Sequence, residues 1–197
     1  MLFSFKNLEI GLVRVNLKEN GENKMINTKR LKLRNVLKSD FDDVYEMYSD
    51  AQTCKYLLHE PWDENTKDSL FIDLFEKDNF DSESGLNLAV VLDDKVIGII
   101  STWQTEMKET AEIGFTFNKN FSGQGYASEA ALGLLDFLFV QKNMHRVIAN
   151  CDARNTASAK LCKRIGMRKE AHFIKDYWNK GEWTDSFIFA VLQEELD

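Results

Sequence analysis

Two glycines separated by one residue, Gly123 and Gly125, stand where a strand-like run ends and a helix-like run begins. Ahead of them residues 111–117 alternate, with Ile113, Phe115 and Phe117 on one side and Glu112, Gly114 and Thr116 on the other, the period of a strand with one buried face. Behind them Ala127, Ala130, Ala131, Leu134, Leu135, Leu138 and Phe139 recur at helical spacing. A strand, a glycine loop and a helix in that order present successive backbone N–H groups, because glycine removes Cβ and a first helical turn leaves its N–H groups unpaired. Ser122, Gly123, Gln124, Gly125, Tyr126 and Ala127 are therefore expected to form an anion cradle, and the helix end adds about half a positive charge to it. The plain alternative is a glycine-rich helix start without a ligand.

Three phosphate chemistries compete for such a loop. A Walker loop is excluded, since no Gly-x-x-x-x-Gly-Lys-Ser/Thr occurs in the chain. A dinucleotide-binding reading would use Asp152 as the ribose-binding acid. Against it, residues 118–122 intervene between strand and first glycine, and too little chain follows Asp152 for the remaining strand-helix units. The third reading is a loop for the pyrophosphate of an acyl-CoA.

The strand Ala111-Glu112-Ile113-Gly114-Phe115, the run Gly123-Gln124-Gly125-Tyr126-Ala127-Ser128-Glu129-Ala130, and Asn155-x-x-Ser158 ahead of Arg164-Ile165-Gly166-Met167 together resemble the GNAT superfamily of N-acetyltransferases, within it the RimJ/RimL-type branch. The resemblance covers the chain from about Met25 onward. It implies acetyl-CoA as acyl donor, transfer to a primary amine, and a pantetheine arm lying against the strand that carries Phe115, Thr116 and Phe117. It also implies that Asn155 bonds the pantetheine and that Ser158 protonates the departing thiolate. A serine and an asparagine at a helix start are equally suited to capping.

Acetyl transfer needs a neutral amine, a donor for the developing oxyanion and a proton for the thiolate. Glu112, opposite the buried side of its strand, can take the amine proton directly or through water, or it is simply an exposed residue of an alternating strand. A backbone N–H within residues 115–117 is the expected oxyanion donor. Lys160, Lys163 and Arg164 can reach nucleotide phosphates, or belong to a solvated helix face. Asn120 stands where the family often carries Gln or Arg, and Lys163 where the branch often has an acid. At neutral pH a far larger share of α-amines than of lysine amines is uncharged, which favours an N-terminal or amino-acid-like acceptor. Trp62, Tyr56, Tyr177, Trp178 and Trp183 are the aromatic candidates for the acceptor side.

The elements that must position these groups follow from the rest of the chain. With 197 residues, 44% hydrophobic composition and one proline, Pro61, a single domain is expected over residues 25–197. Residues 1–24 read as a non-native N-terminal extension ahead of a start at Met25, or else as a genuine short strand or arm. The net charge of -7 disfavours nucleic acid and suits a basic amine. Cys54, Cys151 and Cys162, like His59, His145 and His172, are scattered without ligand spacing, so reduced thiols in a cytoplasm and no metal site are expected. No membrane segment is read, and the assembly is expected to be a monomer or homodimer. A first strand is read at residues 30–36, a helix capped by Ser39, and a second helix at residues 64–78. A meander follows at 86–92, 96–104 and 109–117, with Gly98 marking a bulge or close approach. Then come a helix at 125–141, a parallel strand at 146–151, a helix at 155–164, and two strands at 167–175 and 183–192 joined by a loop at 177–182. The fold class is thus mixed α/β (α+β): a mostly antiparallel sheet of about seven strands with a central parallel pair, flanked by about four helices. Two rival functions remain open at this level, a catalytically silent acyl-CoA-binding module and the nucleotide-binding enzyme.

Overall fold

The computed structural model describes residues 25–195, so the proposed extension at 1–24 lies outside the described residues. The chain runs β1 (Met25–Asn27), β2 (Lys32–Asn35), α1 (Phe41–Tyr48), α2 (Lys67–Phe75), β3 (Asp78–Asn79), β4 (Gly85–Leu92), β5 (Lys95–Gln104) and β6 (Thr110–Phe117). It continues with α3 (Tyr126–Asp136), which ends in a wide π turn at Phe137–Gln141, then β7 (Arg146–Asp152), α4 (Thr156–Arg164), β8 (Arg168–Asn179) and β9 (Glu182–Leu192). One sheet takes the order β1-β2-β4-β5-β6-β7-β9-β8, with β3 on β4. Every pairing is antiparallel except β6 with β7, which α3 joins by a crossover. The expected mixed sheet with one parallel pair is found, with nine strands among the described residues in place of seven. The two extra ones, β1 and β3, are too short to show a period of two.

Each face of the sheet has its own core. On one face α3 and α4 bury Leu134, Leu135, Leu138 and Leu161 against Leu88, Val90, Ile97, Ile100 and Ile113. On the other, α1 and α2 bury Val44, Met47 and Phe71 against Ala89, Val91 and Ile99. Each such side chain removed from water contributes about 1.5–3 kcal/mol. Gly98 is indispensable to the packing: a Cβ there would sit 2.5 Å from the Phe117 ring and 2.9 Å from the Thr116 carbonyl. Beside it, the β4–β5 register shifts between Val90 and Val91, so bulge and close approach coincide.

Three boundaries differ from expectation. Ser39 does not cap α1. A short 3-10 turn, Lys38–Asp40, precedes that helix, because the Arg34 guanidinium forks onto the Asp40 carboxylate at 2.7 and 2.9 Å while Asp40 also accepts from the Leu37 N–H at 2.8 Å. α2 begins only at Lys67, since Asp63 Oδ1 holds the N–H groups of Asn65 and Thr66 in a preceding turn at 2.9 Å each. The last hairpin is tighter than a loop at 177–182: β8 and β9 pair up to Asn179 and Glu182. Only Lys180 (φ 50) and Gly181 (φ 82) form the turn, both in the left-handed region that a two-residue hairpin requires.

Candidate active site

The register of β6 creates a wedge. β6 and β7 pair only at Thr110, Ala111 and Glu112, opposite Arg146, Val147 and Ile148. Beyond that point β6 continues to Phe117 and β7 to Asp152 without pairing to each other. The β7-facing edge of Ile113, Gly114, Phe115, Thr116 and Phe117 is thus left with backbone groups to spare, a groove for an extended ligand with polar atoms along its length.

Where β6 ends, the glycine loop begins. Gly123 (φ 77) and Gly125 (φ 82) both take the left-handed conformation that side chains resist. No backbone N–H from Gly123 to Ser128 meets an acceptor among the described residues. Six consecutive donors at a helix N-terminus fit a pyrophosphate. Ser122 donates its own N–H to the Lys119 carbonyl and so closes the turn ahead of them.

The first turn of α3 does carry a carboxylate, Glu129, which would oppose an anion. It is neutralised from the far side. Glu129 accepts from the Thr28 hydroxyl at 2.6 Å, from the Arg30 N–H at 2.7 Å and from Arg30 Nε at 2.6 Å. Burial alone would raise its pKa, but these bonds outweigh burial and hold it below the usual carboxylate range. Arg30 also donates Nη1 to the Gln124 carbonyl at 3.0 Å, lies 4.5 Å above the Tyr126 ring, and brings its other terminal nitrogen to 3.5 Å from where a Gly125 Cβ would stand. This brace is absent from the sequence-level site. Its one visible signal is a pair of opposite charges, 99 residues apart, flanking the first strand and the glycine loop.

Of the proposed cofactor residues, Phe115, Thr116 and Phe117 lie along the unpaired edge of β6, Gly123, Gln124, Gly125, Tyr126 and Ala127 carry free N–H groups at the start of α3, and Ser122, its own N–H spent on Lys119, stands just ahead of them. Asn155 caps α4, its Oδ1 accepting from the Ser158 N–H at 3.1 Å. Ser158 sits in the first turn of that helix, half-buried. Lys160 and Lys163 are exposed on α4, whereas Arg164 reaches the cradle helix, its Nε 3.2 Å from Ser128 Oγ.

Glu112 lies at the last paired residue before the strands part, half-buried. Burial raises its carboxyl pKa, and no cation counters the effect. That is the environment of a general base working nearer neutrality than a surface glutamate. Its face of the sheet is set by pairing: Trp103 and Ile148 stand directly opposite it on β5 and β7. Farther along the same face the Thr116 hydroxyl bonds the Tyr48 phenol, whose pKa burial pushes up to about 12.

The acceptor-side aromatics divide. Continuing the pairing from Ile148 to Ala190 places even-numbered β9 residues on the Glu112 face, and with them Tyr177, opposite Thr184. Trp178 and Trp183 pair with each other on the other face, edge to face at 5.4 Å. Alternation along β9 thus turns both indoles to the sheet face opposite Glu112. Trp62 is a core residue, 5% exposed and stacked at 4.7 Å on Tyr48, so it supports the site from beneath. The hairpin tip instead closes the cleft with Lys180, whose Nζ donates to the Cys54 carbonyl at 2.7 Å, and Asn179, whose Nδ2 donates to the Leu57 carbonyl at 3.3 Å.

Other chemistries find less support. Burial pushes the thiols of Cys54 and Cys151 up to about 11 and that of Cys162 to about 12, which leaves no thiolate nucleophile at neutral pH. Among the described residues no cluster of three or more His, Cys, Asp or Glu can hold a metal, and no helix is long and apolar enough to cross a membrane.

Comparison with known proteins agrees with this geometry. A family profile described as the acetyltransferase (GNAT) domain matches residues 30–168. The chain is 37% identical over 172 residues to the uncharacterized N-acetyltransferase YnaD of Bacillus subtilis (strain 168), covering 86% of this chain and 98% of that protein. It is 20% identical over 166 residues to spermidine N(1)-acetyltransferase of Escherichia coli (strain K12), covering 84% and 87%. Among solved structures, an acetyltransferase (GNAT family) from Bacillus anthracis superposes with a TM-score of 0.78 at 31% identity, over 87% of this chain and 99% of that one. Spermidine N-acetyltransferase from Vibrio cholerae, solved with CoA and spermine, shares the fold with a TM-score of 0.71 at 19% identity, over 85% and 98%.

Proposed function

Because the chain belongs to the GNAT family of acetyltransferases, we propose that it acetylates an α-amine, peptide N-terminal or amino-acid-like, in the manner of the RimJ/RimL-type branch and within the cytoplasm. As a member of that family it is an acyl-CoA-dependent N-acetyltransferase and uses acetyl-CoA. This overturns the dinucleotide-binding reading, as does the sheet, which has one parallel pair where a doubly wound fold needs several.

The observation that carries the acceptor reading is Glu112, half-buried and uncompensated where β6 and β7 part. Acetyl-CoA supplies an activated acyl carbon and a thiolate leaving group. The cradle of residues 123–128 holds its pyrophosphate, and the free edge of β6 aligns its arm and donates N–H to the developing oxyanion. Glu112 accepts the proton of the attacking amine as the C–N bond forms and releases it to solvent, and Ser158 gives a proton to sulfur as the C–S bond breaks and regains one from solvent. An α-amine, already substantially neutral at physiological pH, needs only this single carboxylate, whereas a lysine amine would first have to be depressed by several pKa units.

Calorimetric titration with acetyl-CoA, for the wild type and for Gly123→Val and Gly125→Val, tests the cradle, and an amine panel tests the acceptor. Micromolar binding lost in both variants, with turnover of peptide or amino-acid amines, is expected. Turnover confined to lysine side chains or to non-amino-acid amines would sink the α-amine assignment.

A further inference from the structure

A cavity of about 310 Å³ opens between the end of α2, the turn before β4 and Trp103, the cross-strand partner of Glu112. Its floor is a cross-strand row. Asn87 pairs with Ser101, and Ser101 with Gly114, so the row leads from the cavity to β6 beside Glu112. At Gly114 no side chain blocks it. The Trp103 indole borders this gap, since a Cβ on Gly114 would meet the ring at 3.8 Å.

The geometry points to this cavity as the subsite for the body of the acceptor, with Trp103 as its wall and a peptide-like, dipolar group as its occupant, an inference that rests on the transferase reading above. Two opposite charges, Lys77 and Glu83, line it, and neither has an ion-pair partner among the described residues. Opposite unpaired charges suit a ligand bearing both a carbonyl or carboxylate and N–H groups. A polyamine carries cations alone, so it would satisfy Glu83 but leave Lys77 facing like charge. The floor is specific as well. The Ser101 hydroxyl donates to Asn87 Oδ1 at 2.6 Å, and Asn87 Nδ2 donates to the Leu74 carbonyl at 2.9 Å. Both side chains are thereby fixed, and the Ser101 oxygen keeps its lone pairs for an incoming amide N–H. The indole adds a flat apolar surface for the first side chains of a peptide, or for an amino acid's own.

Steady-state kinetics of the full chain with short peptides, free amino acids, spermidine and a simple monoamine would test the assignment, in the wild type and in Lys77→Glu, Trp103→Phe and Trp103→Ala. Peptides or amino acids should be preferred by the wild type. Lys77→Glu, an exposed change, should raise their KM about fivefold, the size of one solvent-screened charge contact, leave kcat and the acetyl-CoA KM unmoved, and improve spermidine. Trp103→Ala should raise the acceptor KM about tenfold and Trp103→Phe less. An acceptor KM indifferent to both Lys77→Glu and Trp103→Phe would overturn the subsite alone, whereas wild-type preference for spermidine would overturn it together with the α-amine reading. Failure to turn over any amine would overturn the α-amine reading and the subsite together.

Discussion

Replacing Glu129 by glutamine tests whether the brace behind the glycine loop serves the cofactor or merely the fold. The side chain keeps its size but loses its charge, and three contacts weaken at once: the Thr28 hydroxyl at 2.6 Å, the Arg30 N–H at 2.7 Å and Arg30 Nε at 2.6 Å. The Arg30 side chain is 40% exposed and that of Glu129 17%, so the ion pair is solvent-screened and worth about 1 kcal/mol, with about 1 kcal/mol more for the two weakened neutral-donor bonds. For a chain of this length a loss of about 2 kcal/mol lowers Tm by about 6 °C. The pH dependence has a definite sign. Because the folded state holds Glu129 below its unfolded pKa, its stabilisation is present above the unfolded value and disappears as pH falls through the folded one. The Tm gap between wild type and variant should therefore close below about pH 4. Calorimetry supplies the second reading: with the Arg30 tie to Gln124 loosened, acetyl-CoA affinity should drop about tenfold, equivalent to one charge-assisted contact. A full Tm loss with unchanged acetyl-CoA affinity would refute the link between brace and cradle.

Three further outcomes follow from the geometry. Glu112→Gln should keep acetyl-CoA binding and lower kcat/KM about 100-fold or more. In the wild type the acid limb of kcat/KM should lie above the ordinary carboxylate range and vanish in the variant, as a burial-raised base requires; a limb that persists would assign it to another group. Ser158→Ala should spare the α4 cap, which uses the Ser158 backbone N–H, and reduce kcat about tenfold or more with the acetyl-CoA KM unchanged, so an unaltered kcat would remove Ser158 from the proton path. Gly98→Ala should destabilise by about 1–3 kcal/mol in a denaturant titration, because its methyl must displace the Phe117 ring.

The strand, loop and helix around residues 111–140 were legible because their signals are local: period two, then glycine, then period 3.6. The parting of β6 from β7 was not, since residues 113–117 alternate as regularly as a fully paired strand would. Trp103 was within reach of simple arithmetic. Positions 103 and 112 are equidistant from the turn between β5 and β6, as are 104 and 111, so counting outward from that turn pairs the indole with Glu112. Parity also decides the fate of the hairpin tryptophans, but only when carried across three strands from Ile148 through Ala190. The Asp40 turn escaped because its cause, the Arg34 fork, lies across a chain reversal.

The closure of the cleft by the last hairpin is one-sided in chemical identity. Lys180 and Asn179 both donate into main-chain carbonyls, those of Cys54 and Leu57, and every residue type carries such a carbonyl. The segment joining α1 to α2 can therefore change its exposed side chains freely while the latch survives, provided its backbone path holds. A library randomised at exposed positions such as Lys55 and Leu58 would redraw the rim of the acceptor cleft without unfastening it, so the scaffold separates what must persist from what can diversify.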